Sequence, residues 1–167
     1  MRNKYIKIAI DSPAGAGAGT QAKLIAKKYK LFYLDTGKIY RVLAFYKLKN
    51  PDKFNISYVK KKTKNIKLTE LENKKLLTNL VGLEASKISK NKQIRKFVDK
   101  IQIKFANNPP GNFKGSCLDG RDITYKILPD ADIKFFINAK LHIRAKRRYK
   151  ELKRYDKNIK YDEVYKS

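Results

Sequence analysis

The chain has 167 residues, with no tryptophan, one cysteine and one histidine. With Cys117 alone, neither an internal disulfide nor a cysteine-based zinc cluster can form. It lies in an apolar stretch and reads as a buried, inert thiol. The lone histidine, His142, opens a basic helical stretch and reads as a surface or capping residue rather than a ligand. No uninterrupted apolar run approaches the ~18 residues that a bilayer-spanning helix needs, so no membrane partner is expected. The N-terminus alternates lysine with apolar residues and reaches Asp11 before a signal-peptide core forms, so a cytoplasmic location is expected. Acidic residues are also scarce, 15 against 41 Lys and Arg, for a formal net charge of +26.

That excess of positive charge invites a nucleic-acid partner. The pattern argues otherwise. Lysine, asparagine, isoleucine, tyrosine and phenylalanine rise together, as in AT-rich coding sequence. The lysines are spread over the whole chain, and arginine, which makes the most specific base contacts, is scarce. They read as a solvated surface that steers small polyanions, with no nucleic-acid partner expected. Hydrophobic residues at 42% exclude disorder throughout, and the length suits a single domain over 1–167 with room for a small insertion.

Hydrophobic patterning predicts an α/β fold with three layers, a doubly wound parallel sheet covered by helices on both faces. "YIKIAI" (5–10) reads as a buried strand, and the stretch from Gly19 or Thr20 to Lys30 as a helix that packs through Leu24, Ile25 and Ala26. "LFYLD" (31–35) predicts a second strand, and the residues up to Lys49 a second helix that stops before Asn50-Pro51. The lysine-rich run from Pro51 to about Glu70 reads as a mobile, solvated connection. Helices are expected over 71–89 and 91–107, a short strand running into a charged turn at 115–122, a strand at 132–139, a basic helix over 141–155 and one more short helix at the end.

Between the first strand and helix stands "DSPAGAGAGT". A phosphate loop turns consecutive backbone N–H groups around an anion and adds the positive end of a helix. Gly15, Gly17, Gly19 and Thr20 suit that task, but Ser12 and Ala18 occupy positions where the G-x-x-x-x-G-K-[ST] pattern has glycine and lysine. Lys23 lies about one turn further along the helix. Taken alone, the motif is weak.

Phosphoryl transfer also needs cations on the acceptor side. The few arginines stand at candidate places: Arg41 after the second strand, Arg121 beside Asp122 in "LDGRD", and Arg144, Arg147 and Arg148 on one face of the late basic helix. In a doubly wound sheet, strand ends converge on one crevice, which predicts that these arginines meet the loop. Asp35 and Asp119 read as turn or cap residues before catalytic acids.

The segments "IAIDSPAGAGAGTQAKLIAKKY", "FYLDTGKIYR", "VGLEASKIS", "LDGRDI", "LPDADIKFFINA" and "RAKRRYKEL" resemble, in order and spacing, those of bacterial cytidylate kinases. These are nucleoside monophosphate kinases of the P-loop NTPase fold, and the resemblance covers nearly the whole chain. It implies a five-stranded parallel sheet, ATP with Mg²⁺ as donor and CMP or dCMP as acceptor. It also implies that Ser12, Pro13, Ala14, Gly15, Ala16, Gly17, Ala18, Gly19 and Thr20 bind the ATP phosphates, with Thr20 a ligand of the Mg²⁺. Thr36, Arg41, Arg121 and Asp122 would hold CMP, the two arginines on its phosphate. Arg147 and Arg148 would bind ATP at the start of a lid, and Arg41, Arg121 and Arg148 would act in catalysis. A monomer is the family expectation.

The chain departs from the family pattern GPxGxGKGT at the loop, has a shortened monophosphate-binding insertion at about 50–85, and carries Leu77 where relatives have an arginine that reads cytosine. Relatives continue past Ser167 through a lid segment and a last strand and helix, so a C-terminally truncated chain is expected. Two alternatives stay open: a kinase for UMP or another monophosphate, and a catalytically inactive basic nucleotide- or nucleic-acid-binding relic.

Overall fold

The computed structural model describes residues 5–155 and 157–166. The first four residues, Asp156 and Ser167 lie outside them, and so do the ends of the domain span and of the final helix expected above. Four strands, β1 (Ile6–Asp11), β2 (Phe32–Asp35), β3 (Gly115–Gly120) and β4 (Ile133–Phe136), form one sheet in the order β2-β3-β1-β4. Every pairing is parallel. With its flanking helices this is the expected α/β class, although four described strands stand where the resemblance implied five.

The described helices are α1 (Ala18–Tyr29), α2 (Gly37–Lys49), α3 (Ile56–Lys64), α4 (Leu68–Leu71), α5 (Asn79–Ile88), α6 (Lys92–Asn107), α7 (Leu141–Leu152) and α8 (Tyr161–Lys166). The chain divides into two compact units. One takes in residues 1–36, 102–151 and 159–167 and holds the whole sheet; the other takes in 37–101 and 152–158.

In the sheet unit, Ile8, Ile10, Leu31 and Cys117 pack with Ala18, Ala22 and Ala26 of α1. Alanines one turn apart let the helix lie close on the strands. The expected apolar face is corrected at one residue: Ala26 is buried and Ile25 packs partly buried against this core, but Leu24 is 58% exposed, because the alanine stripe centres the helix on the sheet. Burial pushes the Cys117 thiol up to about 12, with the Asp119 charge adding to the effect, as suits an inert core residue. His142 is exposed, in keeping with its reading.

The second unit overturns another expectation. Residues 51–70 are ordered: a 3₁₀ turn over Pro51–Lys53, then α3 and α4. Asn55 caps α3 by accepting from the Tyr58 N–H, and Val59, Thr63, Ile66 and Leu71 are buried beneath the exposed Lys60, Lys61 and Lys64. The expected helix over 71–89 is likewise broken into a 3₁₀ turn, Lys74–Leu77, and α5, which starts at the Thr78 cap.

Candidate active site

Register places the carboxyl ends of the strands side by side: Asp11 is level with Gly120 and Phe136, and Asp35 with Asp119. A parallel sheet of this kind presents its ligands at that edge. The Ser12–Gly17 turn leaves β1 there. Its Ser12 N–H donates to the Gly120 carbonyl at 3.1 Å, and the Ala16 N–H closes on the Pro13 carbonyl at 3.3 Å. Gly15 (φ 76°) and Gly17 (φ 94°) take the left-handed conformation that glycine adopts without a Cβ clash. Gly17 is the N-cap of α1; no side chain caps that end and its first turn carries no acidic residue. The opening amides of a helix have no partner within it and carry the positive end of its dipole, so the chemistry of this turn fits a phosphate group. Thr20 lies exposed in the same first turn.

Helix α7 closes on the turn from the other side. A Cβ at Gly15 would stand 2.7 Å from the Arg144 carbonyl oxygen, so only glycine lets the helix come this near. Arg144 donates through Nη1 to the Ala14 carbonyl (3.3 Å) and through Nε to the Ala139 carbonyl (3.1 Å). One turn later, Arg147 Nη1 donates to the Ala16 carbonyl at 2.9 Å. Two of the three arginines expected on this face thus meet the loop, while Arg148 hydrogen-bonds Glu151 at 2.9 Å. Among the described residues Lys23 makes no hydrogen bond to the loop; its Nζ lies 5.7 Å from the Tyr33 ring centroid.

The turn after β3 carries Arg121, which is exposed, and Asp122, which holds φ 63°. A left-handed aspartate costs roughly 1–2 kcal/mol, a strain commoner at working sites than elsewhere. Asp122 caps a π-helical turn, Ile123–Ile127. What pins that turn is Asp11, buried at the last position of β1. Its Oδ1 accepts from the Ile123 N–H at 2.7 Å, and its Oδ2 accepts from the Thr124 N–H at 3.0 Å and from the Thr124 hydroxyl. Sequence reasoning missed Asp11; an acid ending an otherwise apolar strand was the available signal.

Thr36 is buried and holds the end of β2 to β3, donating from N–H (3.0 Å) and Oγ1 (2.9 Å) to the Asp119 carbonyl. The Asp119 carboxylate accepts from the Tyr33 hydroxyl at 3.1 Å and lies 3.1 Å from where a Cβ of Gly19 would be, beside the first turn of α1. Burial first, and then the charges of Asp119 and Asp35, raise the Tyr33 phenol far above its usual range, so it stays a donor. Tyr33 was a second omission from the sequence reading.

Arg41 belongs to the second unit, where its Nη1 donates to the Leu76 carbonyl at 2.7 Å. Val42, Phe45, Tyr46, Glu70, Asn73 and Leu76 line a cavity of about 50 Å³ in that unit. That is room for water, not for a nucleotide. Beside it, Glu70 accepts from Lys62 and, at 3.1 Å, from the Tyr46 hydroxyl.

A family model for cytidylate kinase matches residues 8–167. The chain belongs to the cytidylate kinase family. Among similar curated proteins, the cytidylate kinase of Bartonella tribocorum is 42% identical over 146 residues, covering 84% of this chain and 64% of its own. That of Mesorhizobium japonicum is 37% identical over 138 residues, 82% of this chain and 62% of its own. That of Fusobacterium nucleatum is 38% identical over 174 residues, 97% of this chain and 77% of its own. Against the Mesorhizobium and Mesomycoplasma relatives the chain spans 62% and 66% of their length. In this chain the strand-turn-helix at Ser12–Thr20 stands beside the "LDGRD" turn, joined to it by the Ser12 N–H on the Gly120 carbonyl. Its loop sequence, with Ala18, departs from the family pattern.

Proposed function

We propose that the protein transfers the γ-phosphoryl group of ATP to CMP or dCMP, giving ADP and CDP or dCDP. The observation that carries this reading is the convergence, at the carboxyl edge of the sheet, of a left-handed glycine turn at an uncapped helix start with the strained Arg121-Asp122 turn. Family membership supplies the substrates.

In this reading the Ser12–Thr20 segment takes the donor phosphates with its backbone amides. Arg121 and Arg41 hold the acceptor phosphate, Asp122 faces the base and Thr36 lines the acceptor side. Arg147 and Arg148 serve the donor. No protein nucleophile is required, because an oxygen of the acceptor phosphate attacks the γ phosphorus in line and the ADP oxygen leaves. The protein's work is to position the two phosphates and neutralise their charge.

Among the described residues no group of three or more His, Cys, Asp or Glu side chains could hold a metal ion. The exposed Thr20 hydroxyl, a hard oxygen ligand in the first turn of α1, would hold a Mg²⁺ that arrives with the donor and would supply charge neutralisation there. The described helices include none long and apolar enough to cross a membrane.

The test is ADP formation from Mg·ATP with CMP, dCMP, UMP and AMP offered separately. Turnover with CMP or dCMP above UMP and AMP is expected. A folded protein that turns over none of them defeats the proposal.

A further inference from the structure

The cytidylate kinase loop pattern has its cation at the position of Ala18, which is 4% exposed and packed among Ile8, Ile10, Ala22 and Cys117. A methyl group turned into the core cannot neutralise a phosphate, and a lysine there would have to leave that packing. The charge has to come from another element, and four cations compete for the part; of these, Arg144 reaches the loop only at the Ala14 carbonyl, ahead of the α1 N-cap, and is also tied by Nε to the Ala139 carbonyl. Lys23 lies over the Tyr33 ring, 5.7 Å from its centroid. Arg148 is paired with Glu151. Arg147 sits on the loop itself: its Nη1 holds the Ala16 carbonyl at 2.9 Å and is 3.2 Å from where a Cβ of Gly17, the N-cap of α1, would stand. Among the described residues it has no carboxylate partner.

We propose that Arg147 is the replacement cation, delivering from α7 the charge that position 18 lacks and meeting the β and γ phosphates of the bound triphosphate. The inference rests on the kinase reading of the site and deepens it. Arginine suits the task better than lysine would, because a planar fork can keep one N–H on the Ala16 carbonyl and turn others to phosphate oxygens. The contact with Gly17 puts that fork beside the amides that open α1, so backbone dipoles and guanidinium act on one anion.

The test compares Mg·ATP and AMP affinity, with melting temperature, in the full chain and four variants. Glutamine at 147 can still donate to the Ala16 carbonyl but carries no charge, so Arg147→Gln separates a brace from a cation. A loss of ATP affinity of about 10- to 100-fold is expected in this variant, with an unchanged melt and little change for AMP, as suits loss of a hydrogen bond to a charged group. Arg147→Lys is expected to regain part of the loss, and Lys146→Ala, on the same helix, to bind like the parent.

ATP binding that is unaltered in Arg147→Gln overturns the proposal, as does an equal loss for ATP and AMP, or a loss as large in Lys23→Ala or Lys146→Ala. A parent that binds no ATP overturns it too. If Arg147→Gln does not fold, Arg147→Lys decides: retained preference for ATP over AMP supports the proposal and a lost preference defeats it. Selective loss of ATP by Arg147→Gln, with no turnover of CMP by the parent, would defeat the kinase reading and leave the cation standing. CMP turnover untouched by Arg147→Gln would do the reverse.

Discussion

At the scale of single residues, Glu70 shows how a mostly solvated, lysine-rich segment is tied down. Burial works to raise its pKa, but hydrogen bonds from Lys62, the Lys67 N–H and Tyr46 outweigh burial and hold it below the ordinary glutamate range. Lys62 mirrors it: burial pulls its pKa down, and the bonds to Glu70 and Tyr46 raise it above the usual lysine value. Because the folded pKa of Glu70 is depressed, its stabilising effect is present above the unfolded value of about 4.3 and is lost as pH falls through the lower folded value. Melting temperature is therefore expected to drop as pH is lowered through about 4 and below. Glu70→Gln should start less stable at neutral pH, by about 1 kcal/mol, and show a shallower acid decline. The measurement is a thermal denaturation series of both proteins across that range.

At the scale of elements, the strands and the loop were legible because their signals are local. β-branched runs end at glycine or aspartate, and a strand-turn-helix succession needs no knowledge of distant chain. The 51–70 segment was not legible, since Val59, Thr63, Ile66 and Leu71 are too sparse among the lysines to declare a helical face before the partners that bury them are known. The same limit hid Asp11, whose partners Ile123 and Thr124 lie more than a hundred residues away. Its role gives a prediction for the turn as an element. Asp11→Ala strands the Ile123 and Thr124 amides, each costing about 1–3 kcal/mol when left unsatisfied and buried. It should lower the melting temperature and, in steady-state assays, raise KM for CMP more than KM for ATP. Equal effects on both would show that the aspartate braces the whole sheet edge rather than the turn after β3.

At the scale of the whole molecule, the chain carries a formal charge of +26 and the proposed ligands of its site are polyanions. Steering of that kind acts over a Debye length, about 10 Å at 0.1 M salt and about 3 Å at 1 M. Between low and high ionic strength, kcat/KM for both nucleotides is expected to fall by at least several-fold while kcat changes little. Steady-state kinetics in a neutral salt series checks it; a kcat that falls in parallel would place the salt effect in the chemical step. The four-stranded sheet was readable from the alternation of strand and helix signals, but which strand forms its exposed edge was not. Ile133, Phe135 and Phe136 of β4 are exposed, and nothing in the sequence "IKFF" separates an edge strand from a buried one.

Asp11 also couples timescales. Its carbonyl accepts from the Ile137 N–H after β4, its carboxylate holds the turn after β3, and the next amide, that of Ser12, holds Gly120. A surface loop ordinarily opens on its own clock, far faster than the sheet beneath it. Tied in this way, the Arg121-Asp122 turn is expected to open together with the end of β1 rather than on its own, and amide exchange at Ile123 and Thr124 that is as slow as at Ile10 would check it.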